Sequence, residues 1–142
     1  MLPLDRTRVV LSGNEEPGAD YINANYVDGM YEKQYIATQG PLKETAEDYW
    51  RMVWEQEVNV VVMLTKLTEN NKIKCYKYWP GSRKTKRFGK FSATLTGKEK
   101  EHGLVTRFIS LQREVDGQVE QRDIYHFQYK EWPDHGLPSR CV

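Results

Sequence analysis

The stretch LVTRFISLQREVDGQVEQRDIYHFQY, residues 104–129, predicts two long β-strands that fold back on each other. Asp116-Gly117 lies between two segments of alternating polar and apolar residues, and this dipeptide favours the positive φ angles of a tight hairpin turn. We therefore expect strands over residues 104–113 and 118–129. A pair this long indicates a strand-rich fold.

Side chains alternate between the two faces of a strand, so the second strand of this hairpin has two distinct faces. One face carries Ile124, His126 and Gln128, and the other carries Tyr125, Phe127 and Tyr129. A histidine in such a strand is more often a hydrogen-bonded structural residue than a catalytic base. We therefore interpret His126 as structural.

Shorter strands are predicted elsewhere. Residues 9–11, 21–27 and 35–38 indicate an irregular antiparallel beginning to the fold, and residues 88–96 a further strand. Residues 60–65 form a β-branched run that is apolar on both faces, which is typical of a central buried strand. Together with one helix, these segments predict a single α/β unit, a strand-rich mixed sheet flanked by helices.

The clearest helix follows Thr45. Thr45 is a candidate N-cap, and Asp48 three positions later completes a pattern that resembles a capping box. Apolar side chains then recur at helical spacing, at Ala46, Tyr49, Trp50, Val53 and Trp54. We expect the two tryptophans to belong to the core rather than to a ligand platform.

The composition describes one soluble globular domain or a large piece of one. The 142 residues carry 21 basic and 20 acidic side chains, a net charge of +1, which favours neither a nucleic-acid nor a membrane partner. The longest apolar run, residues 58–64, is too short to cross a bilayer, and the first six residues do not resemble a signal peptide. Two cysteines and three scattered histidines predict a reducing compartment, no disulfide framework and no metal site.

Two loop segments have open interpretations. Residues 81–87 are strongly basic, which is typical of a solvated surface. The more specific alternative is that they form the rim of a site that attracts anions. Residues 132–136, Trp-Pro-Asp-His-Gly, have ordinary turn chemistry, because proline presets φ and aspartate bonds to its own backbone. The alternative is a mobile loop that carries Asp134 into a cleft as a general acid, with Trp132 as a packed hinge.

Six stretches, taken in order, resemble the catalytic domain of the phosphotyrosine-specific protein tyrosine phosphatases. They are DYINAN (20–25), YIATQGP (35–41), YWRMVWEQ (49–56), VVMLT (61–65), KCYKYWP (74–80) and WPDHGLP (132–138). Their order and their spread over nearly the whole chain favour the loop interpretation of residues 132–136 over the simple turn.

The resemblance implies a mechanism for phosphotyrosine hydrolysis in proteins, without a cofactor. In that family a cysteine thiolate attacks phosphorus, and a carboxylic acid on a closing loop protonates the departing tyrosine oxygen. The resemblance gives the acid's role to Asp134 and places Trp132, Pro133, His135 and Gly136 in the acid loop. It also suggests that His135 flanks the substrate ring, and that a loop lysine near the acid is Lys84 or Lys86.

Several parts of the family pattern are not found among these residues. The nucleophile belongs to a His-Cys-x5-Arg loop, and Cys141 is followed only by Val142. The tyrosine segment that sets pocket depth, which would precede residues 5–8, and the glutamine loop that positions water are also missing. We expect residues 1–142 to be a partial catalytic domain, incomplete at both ends, with no nucleophile and no turnover alone.

Three further expectations follow. The partners of an intact parent would be phosphotyrosine proteins, and the location cytoplasmic, whether the parent is soluble or receptor-type. The alternative to an enzyme is a non-catalytic truncated product that binds or competes with partners of the intact enzyme. Without the remaining strands and helices, residues 60–64 would have uncovered faces or edges, so the chain alone would aggregate or fold only partly.

Overall fold

The computed structural model describes residues 1–12 and 17–132. Within them, the structure has one helix and ten strands. Numbered in chain order, the strands form three sheets, with strand orders β1-β2-β3, β4-β10-β9-β8-β7 and β5-β6. The helix is α1 (Ala46–Glu55), and the strands are β1 (Arg8–Val10), β2 (Tyr21–Val27), β3 (Tyr35–Thr38), β4 (Val60–Met63), β5 (Thr68–Glu69), β6 (Lys72–Ile73), β7 (Thr85–Phe88), β8 (Phe91–Glu101), β9 (Leu104–Val115) and β10 (Gln118–Tyr129). The predicted strand-rich mixed sheet is confirmed.

The β9–β10 hairpin forms the centre of the five-stranded sheet. Its register runs without a break from Gln118 opposite Val115 to Tyr129 opposite Leu104. The turn residues Asp116 (φ 52°) and Gly117 (φ 75°) have the positive φ angles expected of that dipeptide. β4 pairs with β10 in parallel, whereas the other neighbours in this sheet are antiparallel, so the sheet is mixed.

The core lies between α1 and one face of the five-stranded sheet. Trp50 and Trp54 are 0% and 4% exposed, and they pack against Phe88 and Phe91 at ring-centroid distances of 6.2 and 6.0 Å. The Trp50 indole N–H donates to the Tyr78 carbonyl oxygen (3.0 Å), so its buried polar atom is satisfied. The prediction that both tryptophans are core residues is confirmed.

The predicted capping box at Thr45 is wrong. Thr45 is the N-cap residue by position, as predicted, but its side chain makes no capping hydrogen bond. Its hydroxyl oxygen instead accepts from the Leu42 N–H (2.9 Å), a local turn bond that competes with capping. Asp48 forms an ion pair with Arg51, one turn along the helix, at 3.2 Å.

Two strand predictions need correction. The basic segment 81–87 is not entirely a loop, because Thr85–Phe88 forms β7 and pairs with β8. The strand predicted at 88–96 begins at Phe91 and continues to Glu101, because residues 89–90 make the tight turn between these two strands. Gly89 has a φ of 61° there, a conformation that glycine adopts without strain.

The expectation of a fully buried strand at 60–65 is wrong for the described part of the chain. β4 is the outermost strand of its sheet, and Val60, Val62 and Leu64 are 48%, 62% and 48% exposed. Only the alternate residues, Val61 and Met63, face the core. This exposure agrees with the expectation that residues 60–64 have uncovered faces or edges.

Candidate active site

The stem of the predicted acid loop lies where two parallel strands end. β4 and β10 run in the same direction, so residues 64–66 and 130–132 leave the sheet at the same edge. Loops at the carboxyl ends of parallel strands are the usual places for active sites in such sheets. Asp134, Pro133, His135 and Gly136 lie outside the described residues, so the structure describes the stem of this loop and not its acid.

The stem is tied to the neighbouring β8–β9 turn. The Lys130 N–H donates to the Gly103 carbonyl oxygen (3.1 Å), and Gly103 has a φ of 80°. A Cβ atom at Gly103 would come within 3.0 Å of the Glu131 side chain, so the glycine also makes room for the stem. Trp132, the last residue of the stem, is 38% exposed, and its role as a hinge stays a prediction.

A bridge of buried hydrogen bonds joins the end of β10, where the stem begins, to the segment that follows β4. The Gln128 side chain, 2% exposed, donates through Nε2 to the Thr65 carbonyl oxygen (3.0 Å). Its Oε1 accepts from Arg107 Nη1 at 2.8 Å. The Gln128 side chain therefore links β9, β10 and Thr65. Because a buried polar group is costly to leave without its hydrogen bonds, these bonds hold the three segments in one arrangement.

Arg107 completes the bridge and carries a charge into the interior. It is 5% exposed, and its guanidinium carbon lies 4.2 Å from the centroid of the Trp79 ring, a favourable cation–π geometry. Burial lowers the pKa of Arg107, although arginine stays protonated in proteins. Within residues 1–12 and 17–132 no carboxylate forms an ion pair with it.

His126 is a structural residue, as predicted. It is 0% exposed, and its Nε2 lies 2.7 Å from the Tyr78 hydroxyl oxygen. Burial, and then the charge of Arg107, lower the pKa of His126 to about 3, so the ring is neutral near pH 7. Its Nδ1 is buried and has no hydrogen-bond partner within the described chain. A base that must gain a proton would be poorly placed here.

Cys75 does not have the properties of a phosphatase nucleophile. It is 3% exposed, and its Sγ lies 3.2 Å from the Tyr76 carbonyl oxygen, to which it donates. Burial raises the pKa of the Cys75 thiol to about 11, whereas a nucleophilic cysteine needs a lowered pKa. Cys141 lies outside the described residues.

The two candidate lysines differ in their surroundings. Lys86 Nζ lies 2.5 Å from the Tyr76 hydroxyl and 4.4 Å from the centroid of the same ring, so it is held against Tyr76. Lys84 is exposed. Because the acid loop itself is outside the described part of the chain, the assignment of either lysine to it stays a prediction.

The sequence did not reveal the Arg107–Gln128 bridge, although one signal was present. Val105, Arg107, Ile109 and Leu111 occupy alternate positions of β9, and all four are buried. An arginine inside an otherwise apolar inward-facing series indicates a buried charge with specific partners. The identity of those partners, Gln128 and Trp79, depends on strand pairing and loop placement that the sequence pattern does not show.

Metal and membrane features were also searched for in the described ranges, 1–12 and 17–132. No group of three or more histidine, cysteine, aspartate or glutamate side chains there could hold a metal ion. The helix found there, α1, is too short and too polar to span a bilayer.

Comparison with known proteins gives one consistent family. The family model for protein-tyrosine phosphatase matches residues 1–142. The Lar-like tyrosine-protein phosphatase of Caenorhabditis elegans is 51% identical over 138 residues, which cover 95% of this chain and 6% of that protein. Human receptor-type tyrosine-protein phosphatase F is 46% identical over 142 residues, which cover 98% of this chain and 7% of that protein.

A shorter relative shows the same similarity. Tyrosine-protein phosphatase 1 of Dictyostelium discoideum is 44% identical over 152 aligned residues, which cover 98% of this chain and 28% of that protein. The chain therefore spans between 6% and 28% of the length of these three relatives.

Proposed function

Because the chain belongs to the protein-tyrosine phosphatase family, we propose that it carries the general-acid part of a site that hydrolyses phosphotyrosine in proteins. The observation that supports this most is the position of residues 130–132. They lead directly from the end of β10, beside the end of parallel β4, into Trp-Pro-Asp-His-Gly. A firmly anchored strand end is a suitable base for a loop that must bring an acid to a reacting oxygen.

Asp134 is the proposed acid. When a cysteine thiolate attacks phosphorus, the bond from phosphorus to the tyrosine oxygen breaks, and that oxygen takes the proton of the Asp134 carboxyl group. The resulting carboxylate then accepts a proton from the water that hydrolyses the cysteinyl phosphate. Acid catalysis of this kind contributes about 10² to 10⁴-fold to the rate. His135 is proposed to flank the substrate ring.

The Arg107–Gln128–Thr65 bridge is proposed to position the loop rather than to take part in the reaction. It fixes the relative positions of β10 and of the segment that follows β4, through bonds of 2.8 and 3.0 Å. A displacement of the stem would move Asp134 away from the leaving oxygen, and small displacements of a catalytic group are costly for the rate. The reaction is proposed to take place in the cytoplasm, where thiols stay reduced.

The proposal is tested on the longest natural gene product that contains these residues, with a phosphotyrosine peptide as substrate. We expect Asp134→Ala to lower kcat/KM by about 10² to 10⁴-fold. Glu131→Gln, which removes a carboxylate three residues earlier in the stem, is the matched control and should retain activity. A variant Asp134→Ala with undiminished kcat/KM on a phosphotyrosine peptide would contradict the proposed role.

A polypeptide of these 142 residues alone is expected to show no turnover. Cys75 is buried, with a raised pKa, and neither cysteine has an arginine six positions later. Turnover of an aryl phosphate by this polypeptide that Asp134→Ala abolishes would contradict the expectation.

A second candidate function is a non-catalytic module that binds partners of the intact enzyme or competes with it. The exposed apolar row of Val60, Val62 and Leu64 favours it, because such rows are typical of interaction surfaces. A pull-down with phosphotyrosine peptides distinguishes the two functions. Weak or no capture by the 142-residue polypeptide is expected if the first proposal is correct, whereas strong capture favours the binding module.

A further inference from the structure

A cavity of about 390 Å³ opens beside the buried bridge, and five basic side chains contribute to its lining. Lys66, Lys77, Lys98 and Lys130 line it, together with Arg107. The hydroxyl-bearing residues Thr68 and Ser82 also line it. Among the described residues that line the cavity, none is acidic.

The basic residues interact unfavourably with one another. The charge of Lys100 lowers the pKa of Lys98 most, followed by burial and by the charges of Arg107, Lys130 and Lys77. Burial lowers the pKa of Lys130, and the charges of Arg107 and Lys100 lower it further. Like charges in proximity favour loss of a proton, and a bound anion would relieve that repulsion.

Arg107 distinguishes this cavity from an ordinary solvated basic surface. Surface lysines are normally hydrated and need no partner, but the Arg107 guanidinium is almost fully removed from water. Its contacts in the described chain are a neutral amide, Gln128, and the Trp79 ring, neither of which neutralises its charge. A buried cation without a counter-charge is costly, so an anion in the cavity would stabilise this arrangement.

We propose that this cavity, beside the stem of the predicted acid loop, binds a phosphate group in its dianionic form. Lysine ammonium groups and hydroxyl groups supply the donors that phosphate oxygens accept from, and the buried guanidinium supplies a fixed positive charge at the wall. The group is carried either as free phosphate or as an ester on a larger molecule. The proposal rests on the cavity and its charges, and it does not require Asp134 to be a catalytic residue.

The test compares two variants of the longest natural gene product that contains these residues. Lys98→Gln combined with Lys130→Gln removes two charges from the wall and leaves the Arg107–Gln128 bridge intact. Lys90→Gln removes an exposed charge from the β7–β8 turn, outside the cavity, and is the matched control. Inorganic phosphate, pyrophosphate and a phosphoserine peptide are titrated into ¹⁵N-labelled protein, and amide shifts are followed at Leu95, Lys98, Gln128 and Lys130.

We expect saturable shifts at these four amides, with no saturable shift at Gly117 in the distant hairpin turn. The double variant should bind pyrophosphate at least about a hundredfold more weakly, because it loses two charge-assisted hydrogen bonds, each worth about one factor of ten or more. The Lys90→Gln variant should bind within twofold of the unchanged chain. A phosphoserine peptide that binds more tightly than inorganic phosphate indicates a protein-borne phosphate, and equal affinities indicate the free ion.

A second measurement does not require a well-resolved spectrum. Pyrophosphate that binds only the folded state raises the urea midpoint, and this shift should be smaller in the double variant than in Lys90→Gln. Shifts that do not saturate, or equal losses of affinity in the double variant and the control, would overturn the site.

Discussion

β10 and β4 lie side by side in the same sheet, yet their surroundings are very different. β10 has β9 on one side and β4 on the other, and its residues Ile124, His126 and Gln128 are at most 2% exposed. Among the described residues β4 has one partner strand, and alternate residues from Val60 to Leu64 are 48–62% exposed. Val60 and Val62 lie on the same face of the sheet as their partners Tyr125 and Phe127, and Tyr125 is 44% exposed, so exposure here is decided by the face of the sheet that a residue occupies.

The difference has a physical consequence for β4. An outer strand presents unpaired N–H and C=O groups, and β4 combines that edge with an exposed apolar row. Exposed strands of this kind pair with other chains unless a charge, a proline or a bulge protects them. The described residues of β4 contain none of these protections, whereas Tyr125–Gln128 of β10 are paired on both sides.

The largest expected effect on stability comes from truncating a side chain of α1 in the core that covers one face of the sheet. Trp50→Ala should lower the free energy of unfolding by about 3–5 kcal/mol, because a fully buried aromatic side chain leaves a cavity. It also leaves the Tyr78 carbonyl oxygen without its donor. Urea unfolding measured by near-ultraviolet circular dichroism gives the change. Trp132→Ala, at a 38% exposed position, is the control and should change it by under about 0.5 kcal/mol.

The next largest expected effect is a dependence of stability on pH, which is caused by His126 in β10. The pKa of His126 is about 3 in the folded chain and 6.5 in its reference state, so between these values the unfolded chain binds the additional proton. Stability should therefore fall as pH falls from 7 to 5, by at most about 1.4 kcal/mol per pH unit from this residue.

The variants for this measurement differ only in which histidine is removed. His126→Gln should flatten the slope between pH 7 and 5, whereas His102→Gln, at an exposed position of the β8–β9 turn, should keep it. A slope that is unchanged in His126→Gln would show that another group causes the pH dependence.

The smallest expected effect on stability comes from β4 and addresses its open edge. Val62→Lys should change the free energy of unfolding by about 0.5 kcal/mol or less, since the side chain is 62% exposed. It should nevertheless reduce concentration-dependent association, because a lysine on an edge strand disfavours pairing with another chain. Sedimentation velocity over a range of concentrations measures the association.

Tyr125→Lys is the matched control for that experiment. Tyr125 is 44% exposed, but it lies in β10 between Val60 of β4 and Phe108 of β9. We expect this variant to associate as the unchanged chain does. Equal effects of the two lysines would mean that overall charge, and not the β4 edge, controls association. A sharp, reversible melting transition of a monomeric unchanged chain would contradict the expected aggregation.

Local sequence patterns predicted the elements whose geometry is decided locally. The β9–β10 hairpin follows from Asp116-Gly117 and alternation, and α1 follows from the spacing of its apolar residues. The capping box failed because the Thr45 hydroxyl bonds to Leu42 instead, a choice between two nearby donors that the sequence pattern leaves open. The predicted burial of β4 was wrong because it depends on which face of the sheet is covered, and the residue order alone does not show this.

In the candidate site, too, some residues could be predicted from the sequence and others could not. Asp134 was predicted to be the acid from the order of six family-like stretches, which needs no knowledge of distant contacts. Arg107 and Gln128 were missed as site residues, because the bond between them joins two strands and their other partners, Trp79 and Thr65, come from separate loops. A lone arginine in a strand has many possible partners, and only the packed structure selects among them.

The most direct test of the proposed acid is the dependence of kcat/KM on the leaving group of aryl phosphates. It is measured for the natural gene product that contains these residues and for its Asp134→Asn variant. If Asp134 protonates the departing oxygen, the loss in the variant should be greatest for phenols of high pKa and small for phenols of low pKa, which leave without a proton. An equal loss of kcat/KM for every leaving group would contradict the account.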